Sequence, residues 1–341
     1  MSAKTVLVAN PTAQSGKNAA RIDQARELLV AAGVDHDFVS TAPNGGTVDR
    51  VRDVLRAHGY GVAIYMGGDG TFAEVAKGIL ASGRSNEVAL GMLPTGTAND
   101  QGKSFGLESD EASLPLNVKV VAANQRCALD VGKLTALGPS GEVVREDLFF
   151  DSAGWGISPR VLQLRNEDRQ VVGKIPVLRE VYRDQLVYAG ALLRTFLASY
   201  VSDDKFDAEV HADGQTVTWK GLTDLVVKGT RIYGGMWVFD PQSKPDDGLF
   251  EVLPFVGKRD WMSKALVHLE QSGTAAVALE KLGITHSTGL RAKKIELTLR
   301  AHEVPLAAQI DGEEFPATPT ARIEVMPKAL TLVVPAEYAA R

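Results

Sequence analysis

The chain has a single cysteine, Cys127, so no intrachain disulfide can form and the fold must close on packing alone. That scarcity suits a reducing compartment, and Cys127, at the start of an extended segment, reads as a small buried side chain. The six histidines are scattered, with no pair at zinc spacing, which argues against a zinc centre. Long apolar runs are missing too. The best membrane candidate, Leu186 to Val201, is broken by Arg194 and too short to span. Met1 to Lys4 leads into only a short apolar strand before Asn10-Pro11, so no secretory leader is expected, nor does either end carry a lipidation pattern. Net positive charge is absent: 37 Lys and Arg minus 42 Asp and Glu give −5, which argues against broad nucleic-acid binding. The commonest nucleotide signatures are also lacking. Gly102-Lys103-Ser104 looks like the end of a P-loop, but position 97 is threonine where that motif needs glycine, and Gly96 comes one residue too early. No GxGxxG follows the first strand.

What is present is the balance of a globular protein, 45% hydrophobic and 23% charged, with a length of 341 residues that suits two domains. The first third alternates strand and helix. Thr5 to Ala9 reads as a strand, followed by a helix with Ile22, Ala25, Leu28, Leu29 and Ala32 on its inner face, ended by Gly33. His36 to Thr41 is a second strand, and Val48, Val51, Leu55 and His58 mark a second helix. From about residue 125 extended segments dominate, among them Arg126 to Leu134, Leu148 to Ser152, Phe206 to His211, Leu249 to Phe255 and Leu330 to Val334, punctuated by Asp213-Gly214 and Asp311-Gly312. The pattern predicts an α/β N-terminal domain with a parallel sheet over residues 1–125 and a mainly antiparallel β-sandwich domain over 126–335. A helical insertion is expected at about 158–199 and a short tail at 336–341. The cleft between the domains is the expected site.

Two glycine motifs carry the chemistry. Gly67-Gly68-Asp69-Gly70-Thr71 follows the apolar run Val62 to Met66, and Gly96-Thr97-Ala98-Asn99-Asp100 follows Val88 to Leu93. After Thr71, Phe72, Val75, Ala76, Ile79 and Leu80 fall on one helical face. Glycines between a buried strand and a helix start offer backbone N–H groups and a helix dipole to an anion. Asp69 would repel phosphate there unless a cation lay between them, so the pair points to a nucleotide polyphosphate with Mg²⁺. Ordinary βα turns with an incidental aspartate are the bland alternative. Asn10 and Thr41, at the ends of the first two strands, would border the nucleotide. Gly67, Gly68, Gly70 and Thr71 would cradle phosphate, with Thr97 adding a hydroxyl and Asn99 bracing the second loop. Asp69 and Asp100 are the candidates to hold Mg²⁺ through water; for Asp100 a helix cap is the competing reading.

On Asn10-Pro11 with Gly16, Gly67 to Thr71, Leu93 to Asp100, Asp246-Asp247-Gly248-Leu249 and Asp311-Gly312-Glu313, the chain resembles the diacylglycerol kinase catalytic-domain superfamily. In particular it looks like the soluble bacterial lipid kinases related to diacylglycerol, sphingosine and ceramide kinases. The resemblance implies an NAD kinase/phosphofructokinase-like first domain, ATP and Mg²⁺ as cofactors, and a lipid hydroxyl as acceptor. It implies a structural Mg²⁺ held by Asp247 and the carbonyls of Lys244 and Leu249, where the residues alone suggest a turn. It places a general base in Asp311-Gly312-Glu313: Glu313 is favoured and Asp311 is close behind. On a regular strand these two carboxylates would share a face. Between Arg160 and Arg183, basic and apolar residues interleave as a helix lying on anionic lipid requires, or as any amphipathic surface helix does. A cytoplasmic enzyme that visits the membrane surface transiently, with no transmembrane segment and no nucleic-acid partner, is expected; a homo-oligomer is compatible with the sequence. Two departures stand out. Gln101 occupies a position where relatives often carry phenylalanine, and around Lys228-Gly229-Thr230 relatives usually have asparagine before the glycine pair matching Gly234-Gly235. A soluble-substrate kinase of the NAD kinase type and a catalytically inactive nucleotide-binding regulator are the competing functions.

Overall fold

The computed structural model describes residues 4–11, 17–96, 98–160, 205–234, 237–238, 240, 243–257, 260, 289–302 and 305–339. The expected insertion beyond Arg160, the membrane candidate Leu186 to Val201, and Thr97 lie outside them.

Four strands, β1 (Thr5–Ala9), β2 (His36–Ser40), β3 (Val62–Gly67) and β4 (Ala89–Pro94), run parallel in the order β2-β1-β3-β4. Every residue of β1, β3 and β4 is buried, because helices cover both faces and leave no position for a polar side chain. α1 (Lys17–Ala31) and α5 (Leu114–Ala123) pack Ile22, Leu29 and Val118 on one face with Leu7, Ile64 and Leu93. α2 (Thr47–Ala57) and α3 (Asp69–Ser82) cover the other, setting Val51, Leu55 and Phe72 against Val8, Tyr65 and Leu90. The two helices of that second layer lie unusually close: a Cβ on Gly78 would stand 2.6 Å from Val51 Cβ. The parallel, doubly covered sheet is the fold expected of the first third.

The short helix α4 (Asp100–Ser104) precedes α5, and then strands take over: β5 (Arg126–Leu137), β6 (Val143–Phe149), β7 (Ser152–Gly156), β8 (Phe206–Ala212), β9 (Gln215–Leu222), β10 (Asp224–Lys228), β11 (Ile232–Tyr233), β12 (Trp237–Val238), β13 (Phe250–Phe255), β14 (Leu290–Ala292), β15 (Lys294–Ala301), β16 (Ala308–Ile310), β17 (Glu313–Phe315) and β18 (Thr320–Val333). One antiparallel sheet has the order β14-β13-β10-β7-β16-β17. It faces β5, β18, β15 and β8 across a core containing Phe149, Trp155, Phe206, Phe250, Leu297 and Ile323, the expected sandwich.

The two halves share a sheet. β18 pairs antiparallel with β15 and β5, then, past an irregularity between Met326 and Leu330, lies parallel to β4 through Thr331 and Leu332. A ten-stranded sheet therefore crosses residue 125 without a break. The expected strand from Leu148 to Ser152 is interrupted: β6 stops at Phe149 and β7 starts at Ser152, because the amides between them turn to a side chain described below. The C-terminal segment is not a loose tail over its described part. It forms α6 (Ala336–Ala339), and Tyr338 packs edge-on against Phe105 at 6.0 Å.

Leu332 is fully buried against the first-domain core, whereas all four tryptophans (155, 219, 237 and 261) follow residue 125. Leu332→Ala should cost about 2–5 kcal/mol. It should also lower the urea midpoint read by tryptophan fluorescence, because β18 belongs to both halves. An unchanged fluorescence midpoint would mean that the halves unfold independently.

Candidate active site

The carboxyl ends of β3 and β4 open into turns that touch. Gly67 ends β3, and a Cβ there would lie 2.5 Å from Thr71 Oγ1, so glycine keeps the place that the threonine side chain occupies. A Cβ on Gly96 would lie 2.6 Å from Gly68 Cα, and Thr95 N–H donates to Gly67 O at 2.7 Å. The two glycine motifs thus form one backbone surface, with Gly68 at the N-cap of α3 and the helix dipole behind it. Asn10 and Thr41 border the same edge: Asn10 O accepts from Asn18 Nδ2 at 2.6 Å, and Thr41 N–H donates to Ala9 O at 2.9 Å.

Asp69 ties the first turn to the second. Its Oδ2 accepts Asn99 N–H at 2.9 Å. Burial and the Asp151 carboxylate push its pKa up, against the pull of the Gln101 and Asn99 amides. The other oxygen, Oδ1, is buried without a hydrogen-bond partner of normal geometry. An unsatisfied anionic oxygen beside backbone made for anions is the combination that a hydrated cation resolves, so the residues fit Mg²⁺ here. Asn99 holds a left-handed conformation (φ 55°) at the N-cap of α4 and donates through Nδ2 to Leu107 O at 2.8 Å. Its amide fills the space over Gly102, where a Cβ would come within 2.2 Å of Asn99 Oδ1. Asp100 opens α4 but is not the cap; its Oδ2 accepts Gly234 N–H at 2.8 Å, from the β-rich half.

The last acidic motif separates its two carboxylates. Asp311 and Gly312 both have positive φ (47° and 78°) and form the tight turn between β16 and β17. The regular strand that would put Asp311 and Glu313 on one face does not occur. Asp311 backbone lies in the turn, but its carboxylate is enclosed: Oδ2 accepts Phe150 N–H at 2.9 Å, and Oδ1 accepts Asp151 N–H at 2.8 Å and Ser152 N–H at 3.1 Å. Glu313 is exposed, and its Oε1 lies 3.9 Å from where a Cβ on Gly70 would stand. The hairpin therefore delivers one carboxylate to the start of α3 and uses the other as its anchor.

In the Asp246-Asp247-Gly248-Leu249 turn, Asp247 and Lys244 are exposed, and Asp247 Oδ1 accepts Leu249 N–H at 3.0 Å. Asp130, overlooked at the level of sequence, organises this turn: Oδ2 accepts Gly248 N–H at 2.6 Å and Oδ1 accepts Lys328 N–H at 2.7 Å. Burial and the nearby Asp246 and Asp247 raise its pKa, so negative charge collects here. Among the described residues no three His, Cys, Asp or Glu side chains converge on one metal position. The turn fits an ion held mainly by carbonyls and water, with Asp247 as its carboxylate. Asp151 was overlooked too. It is buried, accepts the Thr230 hydroxyl at Oδ1 and the Ser152 hydroxyl at Oδ2, and raises the pKa of both Asp69 and Asp311. The available signal for both was an acid inside an apolar run, Ala128 to Gly132 and Leu148 to Ala153. Cys127 is half-buried with its thiol pushed up to about 12 by burial, which leaves it unreactive.

Residues 4–134 match the diacylglycerol kinase catalytic domain, and residues 176–334 match the YegS C-terminal NAD kinase beta sandwich-like domain. A probable lipid kinase YegS-like protein of Pseudomonas aeruginosa (strain PAO1) is 28% identical over 298 residues, 85% of this chain and 82% of that relative. The fold is similar to the crystal structure of a diacylglycerol kinase from Bacillus anthracis str. Sterne, with a TM-score of 0.68 at 20% identity and 98% of each chain covered. It is also similar to yeast NADH kinase complexed with NADH, with a TM-score of 0.52 at 9% identity, covering 99% of this chain and 85% of that one. These structural likenesses show the fold alone.

Burial and Asp151 push the Asp311 carboxyl up to about 7 against its three amide donors. The folded protein then holds a proton that the unfolded chain releases near pH 4. The stability from this group is complete below pH 4 and is lost as pH rises through 7. The melting temperature of the wild type relative to Asp311→Asn should therefore fall between pH 4 and 8, by the equivalent of about 2–4 kcal/mol. Parallel melting profiles would show that Asp311 does not titrate in this window.

Proposed function

We propose, from the premise that the chain belongs to the diacylglycerol kinase catalytic-domain superfamily, that it is an ATP-dependent lipid kinase. It transfers the γ-phosphoryl group to a hydroxyl of a lipid such as diacylglycerol, a sphingoid base or a glycerophospholipid. The observation that supports this reading is the approach of Glu313 to Gly70 at the start of α3, an exposed carboxylate beside a glycine turn whose amides suit an anion. The similarity to the Pseudomonas relative, a probable lipid kinase YegS-like protein, supports the acceptor class.

Phosphoryl transfer needs fixed geometry and dispersed charge more than covalent help from the protein. The N–H groups from Gly67 to Thr71 and the hydroxyls of Thr71 and Thr97 would orient the phosphates, with Asn10 and Thr41 bordering the nucleotide. Asp69 and Asp100 would hold Mg²⁺ through water, and that ion supplies neutralising charge on the phosphate oxygens. A second, structural Mg²⁺ would sit on Asp247 and the carbonyls of Lys244 and Leu249. Glu313 takes the proton of the acceptor hydroxyl as its oxygen bonds phosphorus and the bridging P–O bond to ADP breaks. Asp311, saturated by three amides, serves as the hairpin anchor. No described helix is long and apolar enough to cross a membrane, so the lipid would be met at the bilayer surface during transient peripheral association.

Purified protein with labelled ATP, Mg²⁺ and either a total lipid extract or NAD should label lipid and leave NAD untouched. Glu313→Gln should then lose about 10²–10⁴-fold in kcat with little change in ATP affinity. Labelled NAD without labelled lipid, or full activity in Glu313→Gln, would contradict the respective part of this reading.

A further inference from the structure

Lys228 ends β10 and is 0% exposed, an ammonium wholly inside the protein. Its Nζ donates to Ile232 O at 3.1 Å. Burial lowers its pKa, and the carboxylates of Asp151, Asp100, Glu251 and Asp240, in that order, pull the other way. They come from separate elements. Asp151 lies just before β7, Asp100 opens α4, and Glu251 is the direct cross-strand partner of Lys228 on β13.

The segment after Lys228 is pinned to both sides of the site. Gly229 N–H donates to Asp151 O at 2.9 Å, and the Thr230 hydroxyl donates to Asp151 Oδ1. Ile232 N–H donates to Ser104 Oγ at 3.0 Å, and Gly234 N–H to Asp100 Oδ2 at 2.8 Å. The residues from 229 to 234 therefore run from Asp151, whose N–H helps to anchor Asp311, to α4 behind the second glycine motif. Asp151 is buried at one end of this strap and Asp100 is half-buried at the other, and a carboxylate inside the protein costs heavily unless a cation compensates it. Lys228 stands where that cation is needed.

We propose that Lys228 is a positioning residue for phosphoryl transfer: it is the internal counter-ion of the buried Asp151, and its bond to Ile232 O holds the strap that fixes the second glycine motif relative to the Glu313 hairpin. The proposal rests on the kinase reading for its catalytic consequence and on the strap's bonds for its structural one. Lys228 acts through Asp151 and the strap and needs no contact with substrate.

The test compares Lys228→Met, Asp151→Asn and the double variant, using ATP, Mg²⁺ and vesicles of total lipid extract. Each single change leaves one buried charge unbalanced and should lower kcat about tenfold or more, with a smaller change in the KM for ATP. The double variant removes both charges and should recover to within about threefold of wild type. A double variant no faster than the slower single, or Lys228→Met at the wild-type rate, overturns the proposal. If Lys228→Met does not fold, the double variant is compared with Asp151→Asn on the same criterion. A wild type that phosphorylates no lipid defeats the kinase reading separately. Amide exchange of Ile232 and Gly234 then decides: faster exchange in Lys228→Met, or in Lys228→Gln should Met not fold, supports the counter-ion role, and unchanged exchange overturns it.

Discussion

The Asp311 carboxylate accepts three consecutive backbone N–H groups, from Phe150, Asp151 and Ser152, and the geometry of the site follows from that grip. The three donors lie where β6 has ended and β7 has not begun, so without Asp311 they would be stranded inside the protein. The same bonds fix the turn at Asp311-Gly312, and the turn fixes which way Glu313 points. One buried acid thus converts a sheet irregularity into the placement of an exposed acid beside Gly70. A hairpin attached only through β16 and β7, which pair over Ala308 to Ile310, would leave that placement to three ladder positions.

Charge is concentrated around this anchor. Asp151 raises the pKa of both Asp69 and Asp311, and Asp130 gathers Asp246 and Asp247 nearby. Such crowding is unfavourable in a dry interior unless hydrogen bonds and cations compensate. Backbone amides satisfy Asp311, Asp130 and one oxygen of Asp69, and Lys228 supplies an internal positive charge. The buried Asp69 Oδ1 is left over, at the place where Mg²⁺ with a polyphosphate would add charge of the required sign. The glycines also act by sterics: Gly96 lets the second turn rest on Gly68, and no side chain intervenes between the two.

Much of this was legible in the residues. β3 and β4 announce themselves as apolar runs ending in glycine, because a strand covered on both faces has no polar position. Asp213-Gly214 and Asp311-Gly312 announce tight turns, because both positions adopt positive φ. The choice between Asp311 and Glu313 was not legible. It depends on amides 160 residues away in the chain, and strand alternation fails at a turn. Asp130 and Asp151 were hidden for the same reason, since a buried acid is explained only by distant partners. The pairing of β18 with β4 was equally out of reach: its alternating pattern fits the sandwich, and nothing local says that its last residues lie against Ala89 and Leu90. The inward turn of Asp69 toward Asn99 is likewise a tertiary fact, though its proximity to phosphate chemistry could be inferred from the glycines around it.

The decisive measurement is a crystal structure of the protein with Mg²⁺ and a non-hydrolysable ATP analogue. The terminal phosphate should lie on the Gly67 to Thr71 turn, with the Glu313 carboxylate facing it across a gap open to an acceptor hydroxyl and Asp311 still bound to the amides of residues 150 to 152. Phosphates bound away from that turn, or Asp311 released to face the nucleotide with Glu313 turned to solvent, would contradict the division of labour between the two acids.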